Sequence, residues 1–164
     1  MTHDANSAAS RLNPLFVPPR AGPTLDVISM THRYKVMASD TAGQFSIWET
    51  IVPPGHGVPA HTHTREDEAF YVLTGEVLVD VEGEADPLRL AAGAFLFAPR
   101  HRRHGYRNVG SDIAHLLVIA IPGDNLDHMF TAFDALGMRG QGPSMQVIAG
   151  IAEQHGVLIH SFDG

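Results

Sequence analysis

Gly55-His56-Gly57-Val58-Pro59-Ala60-His61-Thr62-His63, followed by Glu68 and then Gly75, is the stretch that decides how this chain is read. His61 and His63 are two residues apart. In an extended strand such residues point to one face, so both imidazoles can reach a single ion. After Thr64-Arg65-Glu66-Asp67 the chain turns back, and Glu68 on the returning strand can add a carboxylate oxygen. A second block, Gly93, Pro99, His104 and Asn108, can bring a third imidazole to the same point. Three imidazoles and one carboxylate without sulfur suit a borderline divalent ion: Fe, Mn, Ni, Co, Cu or Zn. Four protein ligands that leave positions open are the pattern of a catalytic rather than a sealed structural site.

Around these blocks, short runs of β-branched and aromatic residues alternate with Gly, Pro and Asp. Strands are expected at 25–29, 32–38, 44–52, 58–63, 67–73, 76–81, 86–90, 94–98, 102–108 and 113–120. So many short strands imply an all-β sandwich or a closed barrel. After Pro122-Gly123 the period changes. Leu126, Met129, Phe130, Phe133 and Leu136 recur at helical spacing before Gly137, and a second helix is expected from Pro143-Ser144 to Gly156. The apolar tail Val157 to Ile159 can pair with a sheet edge. Three parts result: an N-terminal arm at 1–24, rich in polar residues and proline and expected to be flexible, a barrel at 25–121, and a helical extension at 122–164 that packs on the barrel or at a dimer interface.

Composition narrows the partners. The chain has 164 residues, 44% hydrophobic and 18% charged, a globular balance. A formal charge of −7 disfavours nucleic acid and anionic membranes. No apolar run reaches the length of a membrane span, and the N-terminus lacks the apolar core of a secretory signal, so a cytoplasmic location is expected. There is no cysteine, which removes thiolate ligands and a cysteine nucleophile. Histidine is abundant, at 11. His3, His115, His128, His155 and His160 are read as solvated loop residues.

The two blocks resemble the cupin signatures. The first fits G-x5-H-x-H-x4-E-x6-G at every specified position. The second fits G-x5-P-x-G-x2-H-x3-N except at His101, which stands where the family has glycine. With Pro53-Pro54-Gly55 before and Asp67 to Gly75 after, the chain is similar to small single-domain cupins of the quercetin-dioxygenase-like type, over about Asp40 to Ile121. The resemblance implies a double-stranded β-helix, a small jelly-roll barrel open at one end, with one divalent ion inside held by His61, His63, Glu68 and His104. It also implies a homodimer and a small-molecule substrate. A glycine in that turn usually takes positive φ, so His101 is expected to carry a local backbone cost.

If His104 faces inward, strand alternation puts Arg102, Tyr106 and Asn108 on its face. Tyr106 is then a candidate catalytic or substrate-binding residue. Phe70 shares the face of Glu68 and is a candidate substrate contact as well as barrel core. Arg100, Arg102, Arg103 and Arg107 form a basic cluster, either a rim that steers anionic substrates, with Arg102 nearest the site, or a solvated turn balanced by acids such as Glu66 and Asp67. Glu68 can act as ligand and, off the ion, as proton acceptor. The expected function is a metal-dependent, dioxygenase-like oxidoreductase acting on an enolic, phenolic or carboxylate substrate. A metal-dependent isomerase, epimerase or lyase on a sugar or small acid stays open, as does a non-enzymatic small-ligand barrel.

Overall fold

The computed structural model describes residues 12–137 and 143–160. The chain order is β1 (Thr24–Val27), β2 (Met30–Val36), a 3-10 turn (Ala38–Thr41), β3 (Ser46–Val52), β4 (Gly57–His63), β5 (Asp67–Thr74), β6 (Glu76–Val81), β7 (Leu88–Ala91), β8 (Phe95–Ala98), β9 (His104–Asn108) and β10 (Ala114–Ile121). Helices α1 (Asp124–Ala135) and α2 (Met145–Gln154) follow, and β11 (Val157–Ile159) closes the described chain. All ten expected strands form, and the apolar tail pairs with β4.

Two antiparallel sheets face each other. One runs β1-β2-β3-β10-β5-β8, the other β11-β4-β9-β6-β7. Period-two patterning explains the layers. In β3, Ser46, Trp48, Thr50 and Val52 are buried; in β10, Ala114, Leu116, Val118 and Ala120 are. Their partners across the core include Val77 and Val79 of β6. This is a jelly-roll sandwich curled into a double-stranded β-helix, as expected.

Some boundaries differ from the expected ones. β1 and β2 join through Ile28 and Ser29, both at positive φ (43° and 64°). This is a two-residue turn without the Asn or Gly that normally marks one, so the sequence shows a strand where the chain reverses. β9 begins at His104, not at 102. Of the expected arm, 1–11, including His3, lie outside the described residues. Residues 12–23 carry no helix or strand. They still touch the barrel: the Ala21 and Pro23 carbonyls accept from Lys35 Nζ (3.2 Å) and Tyr34 N (2.8 Å).

The helices close one side of the barrel. Leu126, Met129, Phe130 and Phe133 of α1 and Ile148 and Ala152 of α2 join the single core cluster. Buried Asp127 fixes α1, its Oδ2 accepting from Ala38 N at 2.7 Å. Among the described residues no helix is long and apolar enough to cross a membrane.

Candidate metal centre

The site lies where β4, β5 and β9 meet. β4 approaches β9 so closely that a Cβ on Gly57 would sit 1.9 Å from the Tyr106 carbonyl oxygen, and one on Gly105 would sit 2.8 Å from Ala60 N. Only glycine allows that approach. The register slips by one between Val58↔Tyr106 and His61↔His104. This bulge at Pro59 and Ala60 changes which side of the strand faces inward. Val58 lines the interior before it, and His61 and His63 do so after it.

His61, His63, Glu68 and His104 are all buried, and their ligand atoms lie within 4.8 Å of one another. His61 Nε2 and His63 Nε2 are 2.9 Å apart. Glu68 Oε2 is 3.1 Å from His104 Nε2 and 3.2 Å from His63 Nε2. The other ring nitrogens are engaged behind them. His61 Nδ1 is 2.9 Å from the Pro59 carbonyl, His104 Nδ1 is 3.0 Å from the Arg102 carbonyl, and His63 Nδ1 is 3.3 Å from Glu66 Oε2. A carbonyl or carboxylate can only accept, so each Nδ1 carries the proton and each Nε2 turns a lone pair inward. Three lone pairs and a carboxylate crowded together repel unless a positive charge sits among them. The donor set therefore fits a cation.

The electrostatics also favour one positive charge at this point, supplied by a proton on His63 when no ion is bound. Burial pushes His61 down to about 3, with His63 and His104 adding to the effect. Burial opposes charge on His63 too, but Glu68 and Glu66 overcome it and raise His63 to about 9. Burial likewise disfavours the Glu68 carboxylate, yet His63 and His104 hold it well below the usual range.

The centre opens on a cavity of about 60 Å³. Its walls are mostly apolar and include Val58, Phe70, Tyr106, Val118, Phe130 and Phe133. Phe70 lies edge-on to both His104 and Tyr106, each at 5.8 Å between ring centres. Tyr106 Oη points to Met30 Sδ at 3.9 Å, and burial raises its phenol above the ordinary range.

Other expectations are corrected. Arg102 precedes β9, so alternation does not carry it inward; it is exposed and paired with Glu82 at 3.2 Å. Arg103 pairs with Asp80 (2.6 Å) and Arg100 with Asp67 (2.8 Å) on the outer surface. Three of the four arginines are thus paired with surface acids, while Glu66 is buried and its carboxylate turns to His63. Asn108 shares the buried parity of His104 but donates to the Val52 and Asp112 carbonyls, bracing a turn. His101 takes φ 66° and donates its backbone N–H to the His63 carbonyl at 2.7 Å. His115 is a β10 residue 2.6 Å from Glu49, His128 lies on α1, and His155 caps α2 beside Asn125.

The sequence reading missed two residues at the site. Glu66, taken for a turn acid, is fully buried; Asn125 Nδ2 holds its Oε1 at 2.7 Å. His32 lies in the cavity wall. The alternation Met30-His32-Tyr34 in β2 is the signal that could have found it.

Fold and site together define a double-stranded β-helix with a buried three-histidine, one-carboxylate group at the base of an apolar cavity. The cupin domain family matches residues 48–120. Polyketide synthase CurC of Streptomyces cyaneus is 36% identical over 113 residues, covering 66% of this chain and 71% of that protein. The chain belongs to the cupin superfamily. Quercetin 2,3-dioxygenase of Bacillus subtilis is 29% identical over 92 residues, 56% of this chain and 26% of that protein. The structure of KdgF from Halomonas sp. shares the fold, with a TM-score of 0.59 at 22% identity over 70% of this chain and 99% of that one.

Proposed function

We propose that this cupin is a metal-dependent, dioxygenase-like oxidoreductase acting on a small enolic or phenolic molecule chelated inside the barrel. One observation carries the reading: three inward lone pairs and a carboxylate converge at the base of an apolar, aromatic-walled cavity. His61, His63, His104 and Glu68 would hold the ion. When bound, a redox-active divalent ion supplies Lewis acidity and a template for chelating oxygens. Phe70 and Tyr106 flank the substrate ring, and the apolar walls exclude water. Glu68 would take the substrate hydroxyl proton at a carboxylate oxygen only once off the ion, because the imidazoles and a bound cation both lower its proton affinity. A sugar is disfavoured, because its hydroxyls would be stripped of water against apolar walls.

Likeness to a quercetin 2,3-dioxygenase supports the reaction class, though it covers 26% of that protein. Cavity size limits the substrate. A cavity of about 60 Å³ is too small for the three rings of a flavonol and favours a substrate of one ring at most. The expected homodimer has its own support. Tyr71 and Leu73 of β5, Phe95 and Phe97 of β8 and Ile121 of β10 are exposed on the outer face of one sheet. An apolar face of that kind is usually covered by a partner.

The test is elemental analysis of protein purified without chelator, then oxygen uptake with one-ring catechols and enols. Near-stoichiometric Fe, Mn, Ni or Cu with uptake is expected, and His63→Ala should lose most of the ion while the barrel still folds. Zinc alone, with no uptake in any metal-loaded form, would replace this reading with an isomerase or lyase. No metal after reconstitution would leave a ligand-binding barrel.

A further inference from the structure

His32 is the one imidazole in the cavity wall that belongs neither to the ion-binding group nor to a hydrogen-bonded pair among the described residues. It is 3% exposed. Its ring stacks on Trp48 at 5.5 Å and meets Phe130 edge-on at 4.6 Å. An aromatic slot of this kind fixes the ring plane and leaves only its edges for chemistry. Nδ1 is sealed from solvent without a partner, so Nε2 is the nitrogen left to face the cavity.

The proton's place follows from cost. Burial holds the ring neutral, pushing it down to about 3 against a smaller opposing pull from Glu68. A neutral imidazole has one N–H and one lone pair. A sealed, unpaired N–H is the rarer orphan in folded proteins, an under-used acceptor the commoner one. The proton therefore sits on Nε2, and His32 offers a donor to whatever fills the cavity. The polar atoms nearby do not use it. Thr50, directly across from His32 in the strand register, already accepts from Trp48 Nε1 at 3.0 Å. Tyr106 Oη has a methionine sulfur at 3.9 Å. A polar group buried without a partner costs stability, and one turned into a ligand cavity regains its bond when the ligand arrives.

We propose that His32 is a substrate-binding residue that donates Nε2–H to an acceptor oxygen of the substrate. The cavity then has two polar poles with apolar walls between: the ion-binding cluster and His32. Granting the chelation reading above, the substrate is a one-ring, two-ended molecule. It carries a chelating oxygen pair at one end and a carbonyl-type acceptor oxygen at the other.

The test uses full-length protein loaded with zinc, which binds chelators without turnover. 4-Nitrocatechol carries both ends; catechol carries only the chelating one. Affinities are compared for wild type, His32→Phe, which keeps an aromatic ring in the slot, and His32→Gln, whose amide nitrogen reaches the position of Nε2. His32→Phe should weaken 4-nitrocatechol by about 5–10-fold, His32→Gln should recover most of that loss, and catechol should change less than about twofold. Unchanged 4-nitrocatechol affinity in His32→Phe overturns the proposal. So does equal weakening of both ligands, which would mean shape and not a hydrogen bond. If neither ligand binds wild type, the chelation reading falls and the two-ended substrate with it. An arm without metal decides the His32 half separately. Nitrogen-15 spectra of metal-free protein, assigned by difference with His32→Phe, should show a neutral ring protonated on Nε2 at pH 6. A ring protonated on Nδ1, or charged, overturns the donor.

Discussion

Glu66 Oε2 lies 3.3 Å from His63 Nδ1, with neither side chain open to solvent. The carboxylate fixes the ring's tautomer and makes Nε2 a stronger donor toward an ion. Glu66→Gln keeps the shape and removes the charge. Zinc affinity, measured by competition with a chromophoric chelator, should fall about 10–100-fold, with little change in the fold by circular dichroism. Unchanged affinity would mean that Glu66 only packs.

Asp67 stands next in sequence but faces outward, where it accepts from the Arg100 backbone N–H (2.9 Å) and guanidinium (3.0 and 2.8 Å). The guanidinium hydrogen bond is the largest of the effects that hold its carboxyl down at about 2. The folded pKa is below the unfolded value, so the contribution is present above about pH 4. It is lost as the pH falls from about 4 to 2. Asp67→Asn should flatten that part of the acid unfolding curve and lower stability only slightly at neutral pH, as solvent-exposed pairs do. A variant with an unchanged acid limb would show the pair to be silent.

Phe130 joins α1 to the barrel by its edge contacts with His32 and Trp48, at 4.6 and 5.3 Å. Truncating a buried phenylalanine costs about 3–5 kcal/mol. Phe130→Ala should lose about that much in urea unfolding, at the lower end because the cavity beside it is already open. A loss below about 1 kcal/mol would place α1 outside the cooperative core.

His101 holds φ 66°, a region where a Cβ costs about 1–3 kcal/mol. His101→Gly should relieve part of that strain and stabilise the protein by up to about 1 kcal/mol, after the larger chain entropy of glycine is subtracted. The backbone bond to the His63 carbonyl would remain. Destabilisation in thermal melts would show that the imidazole makes a compensating contact.

The outer-face rows Leu117–Tyr71–Phe95 and Ile119–Ala69–Phe97 run across β10, β5 and β8. Phe95 is 61% exposed and Phe97 54%. If a second copy covers them, Phe95→Glu should convert a dimer into a monomer by light scattering, with metal content unchanged. A wild type that is monomeric at micromolar concentration would remove this interface.

Much of this protein is legible in its sequence because strand chemistry is local. Alternation marks the strands, glycine and proline mark most turns, and the spacing of His61, His63, Glu68 and His104 survives into the fold because each sits on a strand of fixed period. The 3.6-residue spacing of Leu126, Met129, Phe130 and Phe133 gives α1 for the same reason. Position across strands is another matter. Arg102 falls outside the cavity because β9 starts two residues later than expected, and one bulge at Pro59 and Ala60 decides which β4 residues face in. Glu66 behind His63, Asn125 behind Glu66 and His32 under Phe130 are pairings between segments far apart in the chain or across a turn. No local pattern encodes them. They depend on sheet register and on where α1 docks, which the packing of the whole core sets.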